Sequence, residues 1–203
     1  MLNLIGKHIN FSTVEKTYLN ALDLTKGESW KIKTNVMIAI KDRINKHLLS
    51  KQEHRCAFCS SRLNVGGRSE IEHIAPKGKD LYPEFTFNER NLVLACQHCN
   101  SSSKKGTTDP ITRYSKYYGR CQFSIVHPHF DDPDQHYNWA NGVKICIISN
   151  STKATESIRV FELDSPYLTE QRAQDFQSNR RKLKMPLSPI EEEELDKALQ
   201  LLP

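Results

Sequence analysis

Two Cys-x-x-Cys pairs, Cys56/Cys59 in "RCAFC" and Cys96/Cys99 in "CQHC", flank residues 60–95 of a 203-residue chain. Each pair makes a turn tight enough for both sulfurs to reach one ion. Four thiolates close a tetrahedral Zn²⁺ shell with no open position, the arrangement of a structural site and not of a catalytic one. The plain alternative is two unrelated reduced pairs. His98 lies between two better-placed thiols and reads as a surface residue, while Cys121 and Cys146 read as buried free thiols. Between and after the knuckles stand further groups able to do chemistry: the adjacent Glu72 and His73 in "SEIEHIAP", then Asn91 ahead of an apolar run, then Asn100 directly after the last cysteine.

The elements that must position these groups are partly marked. Ser12 and Glu15 form a capping box opening a helix expected to run to about Leu24. Met37, Ile40, Ile44 and Leu48 fall on one stripe of a second helix, ending near Ser50. "SEIEHIA" has strand character. Val143–Ser149 and Ile158–Leu163 read as two paired strands, and Ser188-Pro189 marks a last helix with proline in its first turn. The glutamates at 191–194 favour that helix's N-terminal dipole and read as structural.

Composition bounds the partners. Hydrophobic residues make up 37% of the chain, and no apolar run reaches the roughly 18–20 residues that span a bilayer. The N-terminus lacks the apolar stretch of a secretion signal, so the cytoplasm is the expected compartment, where six cysteines suit metal binding better than disulfides. Net charge is +5. Lys104, Lys105, Arg113, Lys116 and Arg120 face a single Asp109, with Tyr114, Tyr117 and Tyr118 interleaved. These residue types neutralise phosphates and stack on bases, although the same run also reads as an ordinary solvated face.

The ordered set Glu72-His73, Asn91 and Cys99-Asn100 inside the four-cysteine frame resembles the HNH endonuclease family over roughly residues 52–106. The resemblance implies a ββα-metal core with the acid-His pair on its first strand and a helix opening at Asn100. It implies His73 as general base, Glu72 and Asn100 as oxygen ligands of one Mg²⁺ or Mn²⁺, and Asn91 as the residue holding the His-bearing loop. Lys104 or Lys105 would contact a phosphate. Two departures stand out: Glu72 replaces the aspartate of many members, and Ser103 occupies the place where a lysine often follows the helix asparagine, with Lys104 next.

A narrower likeness, carried by Tyr82-Pro83…Phe87 and by the Asp-Pro…His pattern in "HPHFDDPDQHY", extends over roughly residues 52–142. It resembles the nuclease subunits of Septu-type antiphage defence, also found with some retrons, and implies an ABC-type ATPase partner. Within that stretch His127, His129, Asp131, Asp132, Asp134 and His136 have the residue types of a second metal site, but a loop held by its own hydrogen bonds is the favoured reading.

The expected fold is therefore α+β: an HNH core stapled by a four-cysteine zinc site, with an N-terminal helical segment (1–51), the core (52–120) and a C-terminal extension of a strand pair and helices (121–203). The expected function is metal-dependent endonucleolysis of DNA in a defence complex. An RNase acting on tRNA with the same residues and a catalytically silent zinc-stapled nucleic-acid binder are the alternatives. Restraint of the nuclease would come from the partner or from the "TFNER" loop, residues 86–90.

Overall fold

The computed structural model describes residues 2–25, 27–65, 67–106, 108–140, 142–148, 150–183 and 188–199. Helix α1 (Thr13–Asn20) opens on Ser12, whose hydroxyl accepts from the Glu15 backbone while the Glu15 carboxylate accepts from the Ser12 backbone. It stops before Leu24 because the Asp23 carboxylate takes the Thr25 N–H (3.0 Å) and hydroxyl (2.6 Å), turning the chain away. Helix α2 (Asn35–Lys51) buries Met37, Ile40, Ile44 and Leu48, the stripe its sequence announces.

Strands β1 (Ser69–His73) and β2 (Leu92–Cys96) pair antiparallel, with His73 opposite Leu92 and Ser69 opposite Cys96. Every residue from Leu92 to Ala95 is buried, and α2 packs on this strand. The other edge of β2 is closed by a side chain. Buried Gln52, capping α2, donates to the Leu94 carbonyl (2.8 Å) and accepts from the Leu94 N–H (2.8 Å), as a neighbouring strand would. Two further antiparallel pairs follow: β3 (Ile111–Arg113) with β4 (Gln122–Phe123), and β5 (Tyr137–Ala140) with β6 (Lys144–Ile147).

The C-terminal strand pair differs in membership from the sequence expectation. Lys144–Ile147 is a strand, but its partner is Tyr137–Ala140, and the end of the expected strand at Ser149 lies outside the described residues. Ile158–Leu163 is not a strand: most of it is the end of helix α3 (Thr152–Phe161). Ser151 caps that helix through the Ala154 N–H, and its buried positions, Ala154, Ser157, Val160 and Phe161, recur at helical spacing. The polar Ser157 hides this period from an inspection of apolar residues alone. Helices α4 (Pro166–Leu183) and α5 (Pro189–Leu199) complete the order, the latter behind the Ser188/Glu191 capping pair. The mixed α+β class holds, and one buried cluster joins Ile44 of α2, Leu94 of β2 and Phe161 of α3.

Candidate active site

The hairpin β1–β2 carries the cysteine frame at one end and His73 at the other. Cys56–Cys59 forms a turn in which Ser60 N–H returns to the Cys56 carbonyl (3.0 Å) and Ser60 takes a left-handed φ of 65°. Cys96 closes β2, and Asn100 N–H bonds back to its carbonyl (3.0 Å), winding Cys99 beside it. All four sulfurs lie within 4.8 Å of one another. The Cys59 and Cys96 sulfurs are 3.7 Å apart, against about 3.8 Å for the edge of a tetrahedron with Zn–S legs of about 2.3 Å. The Cys96 N–H points at the Cys56 sulfur (3.3 Å), a contact that steadies a thiolate. Burial pushes the Cys56 thiol well up, and hydrogen bonding within the cluster raises Cys99 while lowering Cys96. Four thiolates in so small a volume require a dication, and this donor set fits one. Of the remaining cysteines, Cys121 is buried as expected, whereas Cys146 on β6 is half-exposed.

Other elements brace the knuckles. Phe161 of α3 stacks on Phe58 (4.3 Å between centroids), and Asp175 of α4 takes both Arg55 (2.6 Å) and Arg62 (2.5 Å).

At the far end of β1, His73 is buried. Its Nε2 meets the Thr86 carbonyl (3.0 Å), while Nδ1 has no hydrogen-bond partner among the described residues. Because a carbonyl only accepts, Nε2 carries the proton and Nδ1 presents its lone pair. Burial, with Lys77 adding repulsion, holds the imidazole well below the ordinary histidine range, so it is neutral at pH 7. Trp30 stands edge-on against the ring (4.6 Å, 89°), backed by Phe87 (5.6 Å) and by the Lys41 ammonium over its face (5.0 Å). The turn before Trp30 rides on the loop after His73. At Gly27 (φ 66°) a Cβ would sit 2.7 Å from the Lys79 nitrogen and 2.9 Å from the Lys77 carbonyl.

Beside His73, an open groove of about 630 Å³ is lined by Trp30, Lys41, Glu70, Glu72, Lys77 and Asn100. Burial raises the Glu72 carboxyl, opposed by the cations Lys105 and Lys77. The Asn100 amide nitrogen donates to Glu70, which leaves its oxygen as the free end for a ligand. Glu70 is in turn paired with Arg68 (2.7 Å). A carboxylate and an amide oxygen are hard donors suited to Mg²⁺ or Mn²⁺, which keeps most of its waters when protein supplies one or two ligands. Asn91 is fully buried, donating to the Ala75 and Phe85 carbonyls and accepting from the Ala75 N–H (2.6 Å). It spans the loop around His73.

The helix implied at Asn100 is absent: residues 97–106 form consecutive turns, in which Lys104 N–H reaches Ser101 and Gly106 N–H reaches Ser101 again. This geometry sends the two lysines away from solvent. Lys104 pairs with Glu162 at the end of α3 and is 13% exposed. Lys105 is 1% exposed, donating to the Thr108 carbonyl (2.9 Å) with Glu72 at 3.7 Å, so it serves the groove's carboxylate instead of a surface phosphate. Arg113, Lys116 and Arg120 are exposed, and the last two lie over the Tyr117 ring at 5.1 and 5.0 Å. The three histidines of the later loop go to separate partners: His127 to Tyr118, His129 to the Ile5 and Leu92 carbonyls, and His136 to Ser151. Among the described residues the four cysteines form the one cluster of three or more metal-ligating side chains.

Sequence reading missed Lys77, Trp30 and Thr86. Lys77 stands four residues after His73 and could have been suspected. Trp30 carried no signal, and Thr86 acts through its backbone.

A family model described as HNH endonuclease matches residues 56–106. Over 153 residues the chain is 33% identical to the Septu protein PtuB of Bacillus mycoides (strain KBAB4), covering 66% of this chain and 52% of that relative. The chain thus spans about half the length of the curated relative it matches. No described helix is long and apolar enough to cross a membrane.

Proposed function

From the premise that residues 56–106 are an HNH endonuclease domain, we propose that the chain hydrolyses phosphodiester bonds of DNA as the effector nuclease of a Septu-type antiphage system, beside an ABC-type ATPase. The observation that carries this reading is His73, held by its Nε2 proton on Thr86 with a buried, unpartnered Nδ1, on the residue next to Glu72 of the groove.

In this reading His73 Nδ1 takes the proton of the attacking water, and the depressed affinity of the buried ring keeps it free to do so at neutral pH. Thr86 fixes the tautomer and Asn91 fixes the loop. When bound at Glu72 and Asn100, Mg²⁺ or Mn²⁺ supplies charge that polarises the phosphodiester and stabilises the departing oxygen. Lys77, beside Glu72, adds positive potential to the groove. Arg113, Lys116 and Arg120 contact phosphates outside the groove, with Tyr117 as a stacking surface. The four-cysteine site holds Zn²⁺ and keeps the hairpin in register.

The test compares the purified chain with a zinc-replete His73→Ala variant on supercoiled plasmid and on a tRNA pool, with Mg²⁺ or Mn²⁺, with and without the ATPase subunit. Nicking of plasmid by wild type alone is the expected result. Cleavage of tRNA instead would assign an RNase with the same residues. DNA binding that weakens steeply with salt, ignores the substitution and never leads to cleavage would make the chain a zinc-stapled binding module. Full activity in the isolated chain would rule out restraint by the partner or by residues 86–90.

A further inference from the structure

Asn91 spends three hydrogen bonds on the loop that follows His73. Ala75, two residues after His73, is held by its N–H and its carbonyl, and Phe85, one residue before the carbonyl that receives the His73 proton, is held by its own carbonyl. The fourth bond comes from outside residues 56–106: the Tyr118 hydroxyl donates to Asn91 Oδ1 (3.0 Å). That hydroxyl meets His127 Nε2 (2.9 Å), and His127 Nδ1 accepts the His129 backbone N–H (3.2 Å). The directions are therefore determined. Nδ1 accepts, so the proton is on Nε2; Nε2 donates to the Tyr118 oxygen, leaving the tyrosine proton for Asn91.

Asn91, Tyr118 and His127 are all buried. His127 is wedged face-on against Phe130 (4.2 Å) and edge-on against Phe123 (4.5 Å), and its own N–H is tied to Asp131 (2.8 Å), which pairs with Lys153 of α3. His129 grips the Leu92 carbonyl (3.0 Å), next in the chain to Asn91.

We propose that Tyr118 and His127 are positioning residues for His73, acting through Asn91 to hold its imidazole in the orientation that keeps Nε2 on the Thr86 carbonyl and Nδ1 without a hydrogen bond. The proposal rests on the reading of His73 as general base. It makes the segment after the HNH domain part of the reaction's geometry and not a mere appendage.

The test uses the full chain as Tyr118→Phe, His127→Phe and His127→Gln, with Leu19→Ala on the buried face of α1 as a stability control. Losing one buried hydrogen bond of the relay is expected to lower kcat about tenfold with KM unchanged. His127→Gln, whose amide can donate to the tyrosine, should recover most of the rate. The double variant Tyr118→Phe/His127→Phe should be no slower than the worse single one, because the two act in series. Independently of activity, imidazole ¹H–¹⁵N correlation spectra at fixed pH should show His73 in one tautomer, protonated on Nε2, in wild type and Leu19→Ala, but averaging between tautomers in Tyr118→Phe. An unchanged His73 tautomer in folded, zinc-replete Tyr118→Phe overturns the proposal, as does a rate loss that Leu19→Ala matches at equal stability. If His73→Ala cleaves like wild type, the base assignment fails, and the tautomer spectra still decide whether the relay orients the ring.

Discussion

Cys56, Cys59, Cys96 and Cys99 complete a donor set with their own side chains, whereas His73 is made useful by groups it does not carry: a carbonyl from Thr86, a wall from Trp30, cations from Lys77 and Lys105, and a carboxamide from Asn91. The two regions share one hairpin, so the contrast does not arise from different scaffolds. A closed metal shell needs identity and spacing. An open reactive site needs a surrounding field and a held orientation, and those come from remote segments.

The sharpest way to break the comparison is Cys99→Ser. Structural zinc contributes about 10 kcal/mol or more of folding free energy in small zinc modules, comparable with the whole stability of a typical domain. The variant should therefore lose both bound metal, measured by elemental analysis, and its cooperative thermal transition by circular dichroism. Full retention of metal would mean that the four thiols are not one shell.

His73→Ala should do the reverse, lowering cleavage by about 10²–10⁴-fold with the thermal transition and zinc content intact. Co-loss of zinc would show that the two regions are not separable.

Asp175→Asn asks whether the cysteine knuckles are as self-sufficient as their donor set suggests. The carboxylate is 20% exposed and shared by Arg55 and Arg62, so its loss should destabilise the chain by roughly 1–3 kcal/mol in urea unfolding while zinc stays bound. An unchanged midpoint would leave the Asp175 carboxylate with no role in bracing the site.

The smallest expected effect is in pH dependence. Burial, then His129 and Lys153, push His127 well below the ordinary histidine range, and Tyr118 and Asp131 are its other polar neighbours. The folded ring stays neutral while the unfolded chain takes up a proton below about pH 6.5. Stability must then fall as pH drops through that value, by up to about 1.4 kcal/mol per pH unit from this group. His127→Phe should flatten the slope between pH 6.5 and 5. A slope equal to that of wild type would show that the native ring is already protonated there.

Much of this division is legible in the sequence. The Ser12 box and the Met37–Leu48 stripe depend on neighbours within a turn or two, so local pattern sufficed. Ile158–Leu163 misled because its apolar residues look strand-like until Ser151 and Ser157 are seen as the cap and a buried helical position. Lys105 misled for a different reason. A lysine beside basic neighbours reads as a phosphate contact, yet the turns after Cys99 fold it inward to Glu72, and no local period encodes that reversal.

The sequence by itself determined the four-thiol frame, the Glu72-His73 pair and the asparagines at 91 and 100, because each is a matter of residue type at short or countable spacing. Only the tertiary structure decided that His73 is buried under Trp30 with Nδ1 unpartnered, that Thr86 sets its tautomer, and that Tyr118 and His127 reach Asn91. Those outcomes depend on which backbone group of a distant segment arrives within hydrogen-bonding distance. Packing of the whole chain selects that group, and it leaves no mark on the side chains that supply it.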